Sequence, residues 1–569
     1  MGNKLKYLSS INSRKLDIII TTVLCTIVVL TRLPFVSKFL YEWDSVNYAL
    51  AFEKFDIIHH QPHPPGYIFF VWLGRVINII FNDANNTMIF ISIIFSILTV
   101  ILIYFLVKQM FSRIIAINAS ILLIFNPLFW FYGEIATIYL SEAFFATLIV
   151  YLSYHVFQGN EKYFYPSILA LGLSGGFRQD LVILMLPLWL FCLFYNNLNL
   201  KRIMNASIVL IFSVLIWFVP TVMLAGGYET YSYLSDILFW MCIPRTSLLF
   251  GADLFNRLSN VGAFFSWIGL IFSFFGLFIS ILYNRLNKRK NIIQLKKDIR
   301  TPNGVILSLW IIPAALFYLI VHLPKPGYML SYLPAFSIIL GIIFCRISIK
   351  LNKSEIFNGL SPSKILLILL SLSIIFNSVY FVYPYSYDEE NVWETPFYGM
   401  NINEKIIWAM DIGFVYSTQK IKTNDRITEI YINSVKKVPD ANPNNTIIVV
   451  GDISRVNEGF SWRKSMYYLP EYSIYYLIQR ENYIMNPWHG KNHTNQWSKS
   501  KIFEIPVNNS TDKVVWMIND KSTYYKELKR QSEIKTIKLD NGLKIYYSDV
   551  KVKRPKNNKF IFKLDSKDI

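Results

Sequence analysis

Charge is scarce in this chain. Of 569 residues only 16% are charged, against 53% hydrophobic and 17% aromatic, far from the quarter-charged make-up of soluble domains. Mean hydropathy is +0.36. A disordered chain and a soluble cytosolic enzyme are both excluded. Cysteine is scarcer still: Cys25, Cys192, Cys242 and Cys345 all fall in or beside apolar runs, which leaves neither a disulfide framework nor a spaced zinc cluster. No repeat of 20 to 50 residues, inverted symmetry or low-complexity tract stands out, so solenoids and repeat-built transporters are not expected. The middles of the apolar runs are almost free of charge, the exceptions Glu142 and His155 lying near run ends, which argues against a midplane proton or ion pathway. Acids are short relative to bases, 37 to 56, for a formal net charge of +19. In a soluble protein that excess would point to nucleic acid, so its distribution along the chain decides its meaning.

What the chain has in quantity is long apolar runs. Roughly 20 apolar residues cross a bilayer core, and eleven candidate spans result: 16 to 36, 87 to 107, 114 to 130, 136 to 157, 164 to 177, 181 to 195, 204 to 224, 262 to 283, 304 to 321, 328 to 345 and 365 to 383. Arg32, Leu33 and Pro34 follow the first where a signal peptide would need small residues, so it is expected to stay as an anchor. The stretch from Gly66 to Phe81 opens with Pro64 and Pro65 and carries Arg75 and Asn78 on one helical face, and reads as an interfacial helix.

The loop from Arg285 to Arg300 holds seven basic residues. Together with Lys4, Lys6, Arg14 and Lys15 it belongs in the cytoplasm by the positive-inside rule. The inner segments then hold 20 basic residues against four acids, and the outer segments up to residue 383 hold eight against eleven. The expected architecture is a polytopic α-helical membrane domain, residues 1 to 383, with first-loop and interfacial elements over 37 to 86. An extracytoplasmic α/β domain follows over 384 to 569, with strand-like runs at Thr446 to Val450, Val514 to Ile518 and Leu543 to Tyr547. The positive charge is thus an orientation signal, with membrane lipid as partner and no nucleic acid.

Polar residues gather in the outer loops. The first reads Tyr41-Glu42-Trp43-Asp44-Ser45-Val46-Asn47-Tyr48 and continues to His59-His60-Gln61-Pro62-His63-Pro64-Pro65-Gly66-Tyr67. Asp44 suits a catalytic carboxylate, and its spacing equally suits an N-cap for a helix from Ser45 to Phe55. Glu42 and Asp44 form an acid-x-acid pair, a candidate ligand set for a divalent metal. His59, His60 and His63 lack helical ligand spacing and a carboxylate beside them, so they are not read as a metal site.

Glu-Trp-Asp-Ser after the first span, His-Pro-Pro-Gly-Tyr opening an interfacial helix, Asn126-Pro127-Leu128-Phe129-Trp130-Phe131-Tyr132-Gly133, and His322-Leu323-Pro324-Lys325-Pro326-Gly327-Tyr328 ahead of Leu333-Pro334 follow in an order that resembles the multi-spanning glycosyltransferases of the C-type fold. These include protein O-mannosyltransferases and the transferase that adds aminoarabinose to lipid A. The resemblance covers roughly residues 16 to 383. It implies transfer of a single sugar, a hexose such as mannose, with inversion, from a polyprenyl-phosphate-linked donor to a hydroxyl on a protein, glycolipid or wall-polymer acceptor at the outer face. It places the base at Asp44 and carrier-phosphate contacts at Arg245, Lys325 and Tyr328, with His322 a further member. Arg178 and Asp180 are expected either to line the same cavity or to form an internal ion pair. His63 is expected to cap and aim the interfacial helix toward the cavity. The family's second acid aligns with Tyr139, between Glu134 and Glu142. No Trp-Trp-Asp signature of whole-glycan transferases is present.

Two other readings stand beside this one: a transporter or flippase of lipid-linked sugars, and a non-enzymatic surface-binding protein whose working part is the tail. In the tail, Trp462-Arg463-Lys464 and Tyr467-Tyr468-Leu469-Pro470 have no assigned role. A lid and an acceptor-recognition module are the two roles considered for the domain.

Overall fold

The structure, a computed structural model, describes residues 2–243, 247–251, 254–272, 275–285, 298–322, 325–353, 357, 359–382, 416–451, 460–477, 479–480, 483–485, 497–498, 502–520 and 522–563. Their contacts divide into two compact units: a helical one containing residues 2–36, 67–382 and 416–420, and a second containing 37–66 and 421–563.

In the helical unit, seven helices among the described residues are long and apolar enough to cross a membrane: Ser13–Phe35, Ala84–Met110, Tyr139–Phe157, Leu200–Leu224, Pro302–Val321, Leu333–Leu351 and Pro362–Val382. Ile68–Phe81, Arg113–Ile124, Gln179–Phe194 and Asn260–Ile271 are shorter apolar helices. The candidate run 114 to 130 is two helices, because proline disfavours helical geometry in the residue before it. The first helix ends at Ile124 with Phe125 as its C-cap, and Asn126 is the N-cap of the next, Pro127–Phe131. Its side-chain oxygen accepts from the Leu128 and Phe129 N–H groups at 3.1 and 3.4 Å, and its amide donates to the Leu270 and Ile271 carbonyls at 3.1 and 2.8 Å. Ile68–Phe81 is tied to its neighbours by Thr87 Oγ1 donating to Asn78 at 2.8 Å and Phe69 N–H donating to the Gly176 carbonyl at 3.0 Å.

Polar contacts join helix ends that the charge distribution assigns to one membrane face. Arg113 pairs with Asp17 at 3.0 Å, Asn303 donates to the Met110 carbonyl at 2.9 Å, Arg346 pairs with Asp298 at 2.6 Å and Arg202 with Glu161 at 2.7 Å.

The second unit is built on a five-stranded sheet in the order Ser473–Tyr476, Thr446–Val450, Lys513–Met517, Lys544–Asp549, Lys535–Lys538. The first three strands are parallel and the last two join antiparallel. Strands covered on both faces read as continuous apolar runs, as in Thr-Ile-Ile-Val-Val and Lys-Val-Val-Trp-Met, both buried throughout. Alternate residues serve opposite cores. Ile448, Val450, Val515 and Met517 face a core with Tyr431, Phe460 and Met466. Ile447, Val449, Val514 and Trp516 face another with Tyr524, Leu528, Phe560 and Phe562. Trp43 and Leu50, from the first outer loop, pack against the first of these cores. The loop assigned by sequence to the membrane body thus folds with the α/β domain.

Candidate active site

The residues singled out from the sequence fall into two groups, one in each unit, while Arg245 lies outside the described residues. The first group is on Trp43–Glu53 and the loop after it. Glu42 is the N-cap of this helix in a capping box, its side chain accepting from the Ser45 N–H while the Glu42 N–H donates to Ser45 Oγ at 3.3 Å. The capping role open to Asp44 is therefore Glu42's, and the acid-x-acid pair is divided. Glu42 is engaged at the helix terminus. Among the described residues no group of three His, Cys, Asp or Glu converges as a ligand set.

Asp44 occupies the first turn, where a carboxylate lies favourably against the helix dipole. Its side chain keeps 21% exposure and stands 3.3 Å from His63 Nδ1, the imidazole being 15% exposed. Both are accessible enough to meet a ligand and shielded enough to hold a fixed geometry. The His63 ring is also 6.3 Å from Tyr48 and 6.5 Å from His60. His63 does not take the expected capping role, since Tyr67 is the N-cap residue of Ile68–Phe81 and makes no side-chain capping bond. The turn after His63 needs its glycine: Gly66 has φ +108° and its N–H donates to the His63 carbonyl at 3.1 Å.

The loop between is braced from within. Asp56 and Gln61 exchange backbone hydrogen bonds of 2.6 and 2.8 Å, and the Asp56 carboxylate meets His59 Nδ1 at 2.6 Å and Lys54 Nζ at 2.9 Å. Burial alone would raise the Asp56 carboxyl, but hydrogen bonds from His59 and Lys54 and their charges outweigh it and hold it at about 2.

The second group is centred on Arg178. Its guanidinium grips Asp180 in a fork, Nη2 to Oδ2 at 2.7 Å and Nε to Oδ1 at 3.2 Å. Nε also lies 3.1 Å from Glu142 Oε1, an ion-pair contact without the alignment of a hydrogen bond. Tyr318 Oη donates to Asp180 Oδ2 at 2.5 Å. Arg178 is thus held by two carboxylates.

The guanidinium lies 4.8 Å from the Tyr328 ring centre. Tyr328 stacks on Tyr318 at 5.0 Å and meets His322 at 5.3 Å and Tyr139 at 5.7 Å. Lys325 Nζ is 6.0 Å from the Tyr328 ring. His322 follows a π-helical turn, Phe317–Val321, and Pro326–Ser331 is a 3₁₀ turn with proline at its start. Gly327 is required here because a Cβ would lie 2.5 Å from the Tyr139 ring. The structure therefore brings Arg178, His322, Lys325 and Tyr328 together. Tyr139, at the aligned second-acid position, packs as an aromatic, and Glu142 one turn later supplies a carboxylate to the group.

Sequence reasoning missed the residues that hold the first group. Arg463 is fully buried; its Nε donates to Asn47 Oδ1 at 2.7 Å and its Nη2 to the His59 and His60 carbonyls at 2.5 and 2.8 Å. Lys464, also fully buried, donates to Asn424 Oδ1 and Thr428 Oγ1 at 2.9 and 3.0 Å. Consecutive cations beside an aromatic cluster were the only signal, and that pattern usually marks a solvated surface.

Compared with solved structures, the chain is similar to ArnT from Cupriavidus metallidurans bound to undecaprenyl phosphate, with TM-score 0.51 and 12% identity over 94% of this chain and 98% of that one. The same protein in the apo state gives TM-score 0.53 and 11% identity over the same shares. At these identities the likeness shows the fold, and that fold is the C-type. Residues 62–223 match the family model for dolichyl-phosphate-mannose-protein mannosyltransferases, a stretch that contains His63, Glu142, Arg178 and Asp180 and begins after Asp44. No curated protein matches the chain by sequence. The chain thus has the fold of these membrane proteins, and its residues 62–223 resemble the mannosyltransferase family.

Proposed function

We propose that the enzyme moves a single sugar, a hexose such as mannose, from a polyprenyl-phosphate carrier to an acceptor hydroxyl at the outer membrane face, with inversion. In this reading Asp44 takes the proton of the acceptor hydroxyl as the acceptor oxygen bonds to the anomeric carbon, and the bond from that carbon to the phosphate oxygen breaks. The electron pair leaves on the polyprenyl phosphate. A phosphate is already a stable anion and needs little acid to depart, so what the reaction needs is a placed base for the acceptor and cations or donors for the leaving group.

The observation that carries the reading is the Asp44–His63 contact of 3.3 Å, with helix capping delegated to Glu42. Asp44 is thereby paired with an imidazole at the partly exposed first turn of its helix. The leaving phosphate is assigned to Lys325, Tyr328 and His322 with Arg245. Arg178, engaged by Asp180 and Glu142, is assigned to holding the aromatic wall that presents Tyr328. The basic faces of the helical unit are assigned to the cytoplasm, with the α/β domain outside. Support comes from the family match across residues 62–223, the C-type fold and the charge asymmetry.

The test is turnover of undecaprenyl-phosphate-mannose, alongside the corresponding glucose and aminoarabinose donors, by purified protein with a Ser/Thr peptide or a glycolipid acceptor. Product carrying the opposite anomeric configuration from the donor is expected. Retention of configuration would overturn the single-displacement reading.

A further inference from the structure

We propose that Arg463, in the α/β domain, is a positioning residue for the acceptor-activating site, holding the Asp44 helix and the His63 loop in fixed register. The inference rests on the reading of Asp44 as the base. The two elements are contiguous in sequence but are joined through a residue more than 400 positions away. On one side Arg463 Nε binds Asn47 Oδ1 at 2.7 Å. Asn47 lies three residues after Asp44 in the same helix, so the two share a face. On the other side Nη2 binds the carbonyls of His59 and His60 at 2.5 and 2.8 Å. The left-handed backbone of His60, φ +55°, lets successive carbonyls turn toward one donor. Nη1 reaches Met466 Sδ at 3.3 Å within its own helix.

A planar guanidinium with five donors in a rigid fork is suited to hold two backbones at a set distance, whereas a lysine ammonium is not. Asp44 and His63 each lie within four residues of an atom that Arg463 grips, and their 3.3 Å separation is set by that grip.

A second strut runs parallel to the first. Lys464 Nζ donates to Asn424 Oδ1 at 2.9 Å, and Asn424 Nδ2 donates to the Tyr41 carbonyl at 3.3 Å, immediately before the cap residue Glu42. Asp425 accepts from Ser37 Oγ and Lys38 N–H at 2.8 Å each and from Phe39 N–H at 3.2 Å. The Leu40 N–H donates to Tyr468 Oη at 2.8 Å. The helix Trp462–Tyr468 with Asn424 and Asp425 thus fastens most of the stretch from 37 to 47, and Arg463 alone among these residues also grips the loop that leads to His63. Trp43 and Leu50 already pack the Asp44 helix against the core of the domain, and the grip of Arg463 adds a fixed register between that helix and the loop. Aligning a base needs such a register, since a shift of about 1 Å costs roughly 10²-fold in rate.

The experiment compares Arg463→Met, Arg463→Lys, Asn47→Ala and Asp44→Asn in the full chain, in nanodiscs. One readout is amide hydrogen exchange, and the other is turnover of undecaprenyl-phosphate-mannose with a Ser/Thr peptide. Arg463→Met and Asn47→Ala are expected to speed exchange in 44–53 and 57–63 together, by about tenfold or more, while strands 446–450 and 513–517 stay protected. Turnover should fall roughly 10²-fold with donor KM within about twofold, and Arg463→Lys should recover only part of it. Parent-like exchange in both elements, or loss of protection throughout the sheet in Asn47→Ala as well, would overturn the inference. Asp44→Asn separates the two claims: it should abolish turnover and leave exchange unchanged. Turnover retained in Asp44→Asn would remove the base reading, while the exchange data would still judge the positioning.

Discussion

Replacing Arg178 with Met removes a guanidinium that is 7% exposed and pairs with two carboxylates at once. Asp180 would keep the 2.5 Å bond from Tyr318, but Glu142, fully buried and 3.1 Å from Arg178 Nε, would lose its counter-charge. Breaking a buried pair by deleting one partner costs about 3–5 kcal/mol, because a charge is left uncompensated. The stacked Tyr328 would also lose a cation 4.8 Å from its ring, roughly a further 1 kcal/mol. Arg178→Met is therefore expected to unfold at a markedly lower temperature in detergent than the parent. Adding Glu142→Gln should restore about 1–3 kcal/mol, the coupling usual for residues in one ion-pair network. The assay is a melting curve on the parent, both single variants and the double variant, with donor KM measured on each. A parent-like melting temperature in Arg178→Met, together with a raised donor KM, would refute the internal counter-ion assignment and return Arg178 to the carrier phosphate.

Glu42→Ala should lose the capping box, about 1 kcal/mol of helix stability, and lower turnover through the Asp44 helix. Glu42→Gln, which can still accept from the Ser45 N–H, should stay near the parent, and a severe loss in Glu42→Gln would favour a ligand role for the carboxylate. Gly327→Ala places a methyl 2.5 Å from the Tyr139 ring and should cost about 1–3 kcal/mol by overpacking, relieved by Tyr139→Ala in a melting-temperature comparison. Asp56, lowered from 3.8 to about 2, contributes stability that is complete above about pH 4 and is lost as pH falls toward 2. At 12% side-chain exposure that contribution is at most about 2 kcal/mol. Hydrogen exchange of the loop 54–61 should speed up across that window in the parent, and Asp56→Asn should flatten the response.

The parts legible in the sequence were those encoded locally. Apolar runs marked the membrane helices because about 20 residues must be apolar to cross a bilayer, and Thr446–Val450 read as a strand because a doubly covered strand is apolar throughout. The Asn126-Pro127 step breaks the run 114 to 130 into two helices, which hydropathy alone does not signal. At the site, Asp44 and His63 can each be picked out from the sequence, yet nothing local signals the 3.3 Å contact between a helix and the loop that follows it. The division of labour between Glu42 and Asp44 depends on where the helix begins, and boundaries shift by a residue or two without altering composition. Arg463 and Glu142 were illegible for a stronger reason. Their roles exist only through partners far away in the chain, Asn47 for one and Arg178 for the other, and no periodicity signals such a contact.

The most direct measurement of the central claim is steady-state turnover of undecaprenyl-phosphate-mannose by Asp44→Asn beside the parent, with folding verified by melting temperature. Loss of a placed general base predicts a fall in kcat of about 10²–10⁴-fold, with donor KM and melting temperature close to the parent's. Turnover of Asp44→Asn within about tenfold of the parent would contradict the account, because the proton would then leave by another route.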